Sequence, residues 1–203
     1  MSPTIDAVLP EDPDRAIMAR VRAGDREAFR VLHDRHAAAL LRYANGMLGN
    51  TARAEEIVQE VFLNAYRASG RWEPSAKVST WLYTIAHNLC LNESRRFEVR
   101  SRGRIESLDG TDGEEDEPTR EHPDPSAPDG EREAAARELE ERVRFLVAGL
   151  PEAQRSALVL SRVHDLRYEE IAQVLNCSEQ AVKSLVFRAT KTLKAGLKEH
   201  VDG

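Results

Sequence analysis

Between Asp109 and Glu133 the chain offers nothing from which a core could be built, and this divides everything else. Those 25 positions contain no Val, Ile, Leu, Met, Phe, Trp, Tyr or Cys, and they hold eleven acids, two bases and four prolines. Too little apolar surface is available to offset the entropy of ordering, and like-charge repulsion favours extension. The segment is expected to tether two folded pieces, reaching about 85 Å when fully stretched at ~3.4 Å per residue. The expected division is a disordered N-terminus over residues 1–13, domains at 14–104 and 137–199, and a flexible acidic linker over 105–136.

Both flanking pieces carry helical periodicity, and neither shows a useful run of strand alternation. A short lead helix is expected near Asp14 to Ala23. Asp25 is placed to cap a second helix, whose Phe29, Leu32, His36, Leu40, Tyr43 and Met47 recur every three or four residues and share a face. Gly46, Gly49 and Asn50 are expected to end it, and Thr51 to cap the next. That third helix carries Glu55 and Glu56 in its first turns, near the positive end of its dipole, and an inward stripe of Ile57, Val58, Val61, Phe62, Ala65 and Tyr66. After a loop from Ser69 to Val78, Ser79 should cap a fourth helix with Trp81, Leu82, Ile85, Ala86 and Leu89 facing inward. Beyond the tether, helices are expected at Ala134–Ala148, from Pro151 to about His164, at Tyr168–Leu175, and from the break at Asn176 to about Lys198. The fold class is all-α, with two small helical domains.

The segment from Tyr168 to Phe187 fits a helix-turn-helix. Ala172 sits where two steeply crossed backbones would meet, Asn176 occupies the turn and tolerates a left-handed conformation, and Ser178 can cap the second helix. Ile171, Leu175, Val182 and either Leu185 or Val186 supply the buried side; an ordinary helical hairpin is the competing reading. From Gln180 to Lys198 there are five bases and no acid, so this helix presents Lys183, Arg188, Lys191 and Lys194 to an anion.

A second basic cluster, Arg95, Arg96, Arg100, Arg102 and Arg104, follows the fourth helix, with Trp72, Trp81, Tyr83, Asn88 and Asn92 upstream. Rings among arginines suit single-stranded nucleic acid, where bases stack and phosphates meet guanidinium groups. Trp81 and Tyr83 would serve equally as core. The formal charge of -6 speaks against nucleic acid only as a bulk figure, because the tether alone contributes a net -9 and the remainder is positive.

Other classes fall away. No apolar run approaches the roughly 18 residues that a membrane span needs. The first fourteen residues are acidic with three prolines, unlike a signal peptide, so a cytoplasmic location is expected. Cys90 and Cys177 form no CxxC pair, which leaves each as a small hydrophobe. His33 and His36 are spaced i, i+3, but no carboxylate–histidine cluster joins them to make a hydrolytic metal site.

The motifs themselves are familiar. Residues 54–67 (AEEIVQEVFLNAYR), 79–92 (STWLYTIAHNLCLN) and the pair Arg95-Arg96 resemble the second conserved region of bacterial sigma factors. Residues 150–155 (LPEAQR), 168–172 (YEEIA) and 177–184 (CSEQAVKS) resemble their fourth region. With only these two regions and a linker, the chain is similar to the extracytoplasmic-function (ECF) group.

The resemblance implies a promoter-specificity subunit of RNA polymerase, not an enzyme, with no cofactor and no metal. It implies that Glu55, Glu56, Gln59, Glu60 and Leu63 dock on core polymerase. Trp72, Lys77, Trp81, Tyr83, Asn88, Asn92, Arg95 and Arg96 would take the minus-ten element as single strand. Ser178, Gln180, Lys183, Ser184, Phe187, Arg188 and Lys191 would read the minus-thirty-five element as duplex. An anti-sigma factor is an implied partner. Leu185 and Thr190 stand where relatives usually carry Arg, which weakens the expected phosphate grip. The alternative reading is a stand-alone helix-turn-helix regulator that binds duplex DNA without polymerase.

Overall fold

Periodicity and caps produce eight α-helices and no strand among the residues described by the computed structural model, which are 12–72, 76–106, 130–162 and 166–201. The N-terminal piece holds α1 (Arg15–Arg22), α2 (Arg26–Leu48), α3 (Thr51–Ala68) and α4 (Val78–Glu106), with a 3-10 turn at Ser69–Arg71. The C-terminal piece holds α5 (Gly130–Ala148), α6 (Glu152–Leu160), α7 (Tyr168–Val174) and α8 (Glu179–Val201). Residues 1–11 of the expected N-terminal tail (1–13), most of the linker (107–129) and His164 lie outside the described residues.

The caps refine the expected boundaries. Asp25 accepts the Ala28 N–H at 3.0 Å and opens α2 as anticipated. Gly46 does not end that helix; α2 continues to Leu48 and stops at Gly49, whose φ of +67° a side chain would strain. Asn50, not Thr51, caps α3: its backbone is extended and its side chain accepts the Arg53 N–H at 2.9 Å. Ser79 does not cap α4, because the helix already begins at Val78. The Val78 N–H instead donates to Oδ2 of Asp12, 66 residues upstream, at 2.9 Å. At the far side of the linker, α5 starts at Gly130, four residues ahead of the expected Ala134.

Leu32, Leu40, Tyr43, Met47, Val61, Leu82 and Cys90 are buried where α2, α3 and α4 meet. Tyr66 departs from the expected inward stripe and is exposed. In the C-terminal piece, Leu150, Leu158 and Ala189 form a small core of their own. Leu160, Ile171, Ala172, Val174 and Val182 do otherwise: they join the core of the N-terminal piece. The two pieces therefore pack on each other, α7 against α4 and α6 against α2. Gly46 belongs to this contact, since a Cβ there would lie 2.9 Å from Cγ1 of Val159. The glycine marks a close approach between the pieces and not a helix stop.

Candidate polymerase and nucleic-acid interfaces

On α3, Ile57, Val58, Val61 and Phe62 turn into the core, and the opposite side of the helix is left to solvent. Glu55, Glu56, Gln59, Glu60 and Leu63 are all exposed there, at spacings that place them on one face. Leu63 is 48% exposed, an apolar side chain among acids. Tyr66 and Arg67 extend the same surface by a turn; the sequence hid Tyr66 because its spacing also fits the buried stripe. Arg53 anchors this helix to α4 through Glu93 at 2.8 Å and also pairs with Glu56. The hydrogen bond to Glu93 raises the Arg53 guanidinium above its ordinary pKa.

The eight positions on and just before α4 differ in exposure. Asn88, Asn92, Arg95 and Arg96 are exposed and follow one another along an outer stripe of the helix. Trp81 is half-buried at the N-terminal end of that stripe. Trp72 and Tyr83 are instead in the core, at 7% and 2% exposure. The Tyr83 ring stands edge-on to Tyr43 with centroids 5.6 Å apart. Lys77 makes an ion pair with Glu170 of α7 at 2.9 Å, and Arg95 approaches Glu152 of α6 at 3.9 Å. The side chains of Arg100, Arg102 and Arg104 lie outside the described residues, although the helix backbone continues through them.

Beneath the stripe lies a buried polar pair. The Tyr43 hydroxyl is hydrogen-bonded to Nδ1 of His87 at 3.0 Å. Burial pushes the His87 imidazole down to about 4, so at neutral pH it is uncharged. Burial likewise pushes the Cys90 thiol up to about 12.

The helix-turn-helix is built as its residues suggest. Asn176 has φ +49°, the one positive value outside glycine among the described residues. The Ser178 hydroxyl accepts the Ala181 N–H at 3.2 Å and caps α8. Val182 is fully buried, and Val186 packs against the core. Ser178, Gln180, Lys183, Phe187, Arg188 and Lys191 are exposed, and Ser184 is half-buried between them. Phe187 is 69% exposed. Lys183 is hydrogen-bonded to Glu179, which raises its pKa and keeps it cationic. Leu185 and Thr190 are half-buried, against the exposed cations around them.

Other polar clusters are structural. Asp14 is hydrogen-bonded to Arg35, and its Oδ2 lies 2.7 Å from Nε2 of His36. Burial raises the Asp14 carboxyl, but His36 and Arg35 together outweigh it and hold the group below its ordinary value. His33 turns to Asp34 and the Phe62 ring, so the two histidines do not converge. No group of three potential metal ligands occurs among the described residues. No helix among them is long and apolar enough to cross a membrane.

Residues 32–100 match the family Sigma-70 region 2, and residues 140–193 match Sigma-70, region 4. The RNA polymerase sigma-H factor of Pseudomonas aeruginosa is 32% identical over 94% of this chain and 96% of its own length. The ECF RNA polymerase sigma-E factor of Escherichia coli (strain K12) is 31% identical over 89% of this chain and 92% of its own. Among solved structures, CnrH in complex with the cytosolic domain of CnrY shares the fold at TM-score 0.68 and 24% identity, over 93% of this chain and 99% of that one. RpoE of Bartonella quintana, in complex with the anti-sigma factor NepR, shares it at TM-score 0.58 and 24% identity, over 84% and 96%. Two sigma regions in sequence, and relatives matched along nearly their whole length, establish that the chain belongs to the sigma factors of the extracytoplasmic-function group.

Proposed function

We infer that the chain works in the cytoplasm as the promoter-specificity subunit of RNA polymerase, with its tasks divided among three surfaces. The observation that carries this division is the separation of two cation-bearing faces, on α4 and α8, from the acidic face of α3. The α3 face, Glu55, Glu56, Gln59, Glu60 and Leu63, suits a basic docking partner on core polymerase, and Tyr66 and Arg67 enlarge it. Exposed Leu63 supplies the apolar centre that such an interface needs.

On α4, Asn88 and Asn92 offer amide donors and acceptors to unpaired bases, and Arg95 and Arg96 offer charge to the backbone. Trp81, half-buried at the end of the stripe, is the ring best placed to stack on a base. Trp72 and Tyr83 act from the core as support for that surface, and Lys77 joins it when released from Glu170. Capturing a base as it leaves the stack offsets the few kcal/mol of unstacking. On α8, Ser178, Gln180, Lys183 and Ser184 sit at the end of the helix that enters a major groove, while Arg188 and Lys191 meet phosphates. Phe187 gains an apolar contact there, such as a thymine methyl group. An anti-sigma factor is a proposed partner, supported by the complex in which the related RpoE fold is found.

Run-off transcription with purified core polymerase tests the reading. The chain is expected to bind promoter DNA weakly alone and to direct defined start sites with core. Tight promoter binding without core would favour the stand-alone regulator. In the holoenzyme, Arg188→Ala with Lys191→Ala should weaken promoter binding and make the log–log salt slope less negative by roughly 2, at about 0.9 per phosphate contact. An unchanged slope would remove these two residues from the upstream contact.

A further inference from the structure

The end of α8 that faces a groove carries an acid. From Gln180 to Lys198 there are five bases and no carboxylate, so Glu179, the first residue of the helix, stands alone among cations. The role of a cap is already filled, because the Ser178 hydroxyl accepts the Ala181 N–H at 3.2 Å. Glu179 turns instead to Lys183, one turn on, with its Oε1 2.5 Å from the lysine Nζ. Both side chains stay open to solvent, at 41% and 51% exposure. Glu169, exposed in the first turn of α7, also acts on Lys183 electrostatically. The phosphates of a duplex repel carboxylates, so an acid at this end is unfavourable unless a donor on the DNA receives it.

Glu179 and Lys183 form an ordered pair of groups, a carboxylate that only accepts beside an ammonium that only donates. In the major groove a C·G pair shows the complementary order: cytosine N4 donates, and guanine O6 and N7 accept. Cytosine N4 and guanine O6 are joined by a Watson–Crick hydrogen bond and lie about 2.9 Å apart. That is close to the spacing of Oε1 and Nζ, so the two pairs can meet edge to edge. The reversed pair, G·C, would set acceptor against acceptor and donor against donor. An A·T pair keeps the order through adenine N6 and thymine O4, but thymine gives Lys183 one acceptor where guanine gives two, with a methyl group beside it.

We propose that Glu179 is a specificity-determining residue, and that it and Lys183 act as one unit that reads a single C·G pair of the minus-thirty-five element. The proposal rests on the reading of α8 as the helix that enters the major groove of that element. Glu179 accepts from cytosine N4, and Lys183 donates to guanine O6 and N7, while Arg188 and Lys191 fix the register on the backbone. Because the two charges cancel, the unit contributes specificity and hardly any of the salt-dependent affinity.

Start sites mapped by run-off transcription with purified core polymerase supply a promoter. A library of that promoter, randomised through the minus-thirty-five region, selected for binding by the holoenzyme and sequenced, gives the preference at each position. For the wild-type chain one position should favour C·G over G·C by about tenfold, within what a good bidentate contact contributes, with A·T between them. Glu179→Ala should flatten that position to about twofold or less and leave the others as they are. Exchanging the two residues, Glu179→Lys with Lys183→Glu, should turn the preference over to G·C at the same position. Glu179→Ala with Lys183→Ala should keep the wild-type log–log salt slope, unlike Arg188→Ala with Lys191→Ala.

An unchanged profile in Glu179→Ala overturns the proposal. So do preferences that fade together at every position, the mark of a residue that only supports the helix end. An exchange that leaves C·G preferred overturns the pairing of Glu179 with cytosine. If no form initiates with core polymerase, the sigma-factor reading fails, while the same library selected with the free chain still decides whether the pair reads C·G.

Discussion

Two buried side chains tie stability to conditions that leave the outer surface unchanged. His87 is neutral in the folded chain because burial lowers its pKa from 6.5 to about 4. The unfolded chain takes up a proton near 6.5 and the folded chain does not, so this contribution is complete above pH 6.5 and is lost as pH falls toward 4. The loss should approach about 3 kcal/mol at 1.36 per pH unit. Urea unfolding between pH 7.5 and 4.5 should show that decline, and His87→Gln should flatten it; an equally steep decline in the variant would assign the effect elsewhere. Asp14 acts in a lower window, because its depressed pKa makes its contribution fade only below the ordinary carboxylate range. Cys90 and Cys177 separate on the same principle. Native protein should react with a thiol reagent at half-exposed Cys177, while Cys90, pushed up to about 12 and buried, reacts only on unfolding. Equal labelling rates would contradict the packing around α4.

At the scale of helices, much was legible and the exceptions have identifiable causes. The faces of α2, α3 and α8 follow from period 3.6, and Asn176 and Ser178 did announce the turn, because their chemistry is local. Thr51 looked as good a cap as Asn50; only the extended backbone at Asn50 decides between them. The start of α4 was read one residue late, with Ser79 as its cap, because the acceptor for its first N–H, Asp12, arrives from the other end of the domain. Gly46 carried a helix-ending signal whose real cause is a neighbour more than a hundred residues away. The outer stripe of α4 was visible as Asn88, Asn92, Arg95 and Arg96, but whether Trp72, Trp81 and Tyr83 face in or out depends on tertiary packing, which spacing cannot supply. Asp12 gives this scale its prediction. Asp12→Ala leaves the first N–H of α4 without its acceptor, so stability should fall by about 1 kcal/mol. Promoter opening by the holoenzyme should slow with it, while core binding, which we propose runs through α3, stays unchanged. If stability and opening are both unaffected, the contact from Asp12 is dispensable to α4.

For the whole molecule, the bulk charge of -6 conceals an opposition between a net -9 tether and the basic faces on either side of it. Acidic charge carried between the two basic faces lowers the local potential that a DNA backbone meets, over about 8–10 Å at physiological salt. Such a chain should discriminate by context: free, its cations are partly compensated, and on core polymerase they are aligned with the promoter by docking. Converting the eleven tether acids to their amides changes the formal charge by eleven units without touching any residue of the α3, α4 or α8 surfaces. Non-specific affinity of the free chain for duplex DNA should then rise, by about tenfold at low salt and less as salt is added. Promoter choice by the holoenzyme should be unchanged, because base contacts and docking residues are intact. Filter binding across a salt series separates the outcomes. A rise that vanishes with salt supports electrostatic shielding, whereas no rise even at low salt would show that the tether charge is not felt by the basic faces.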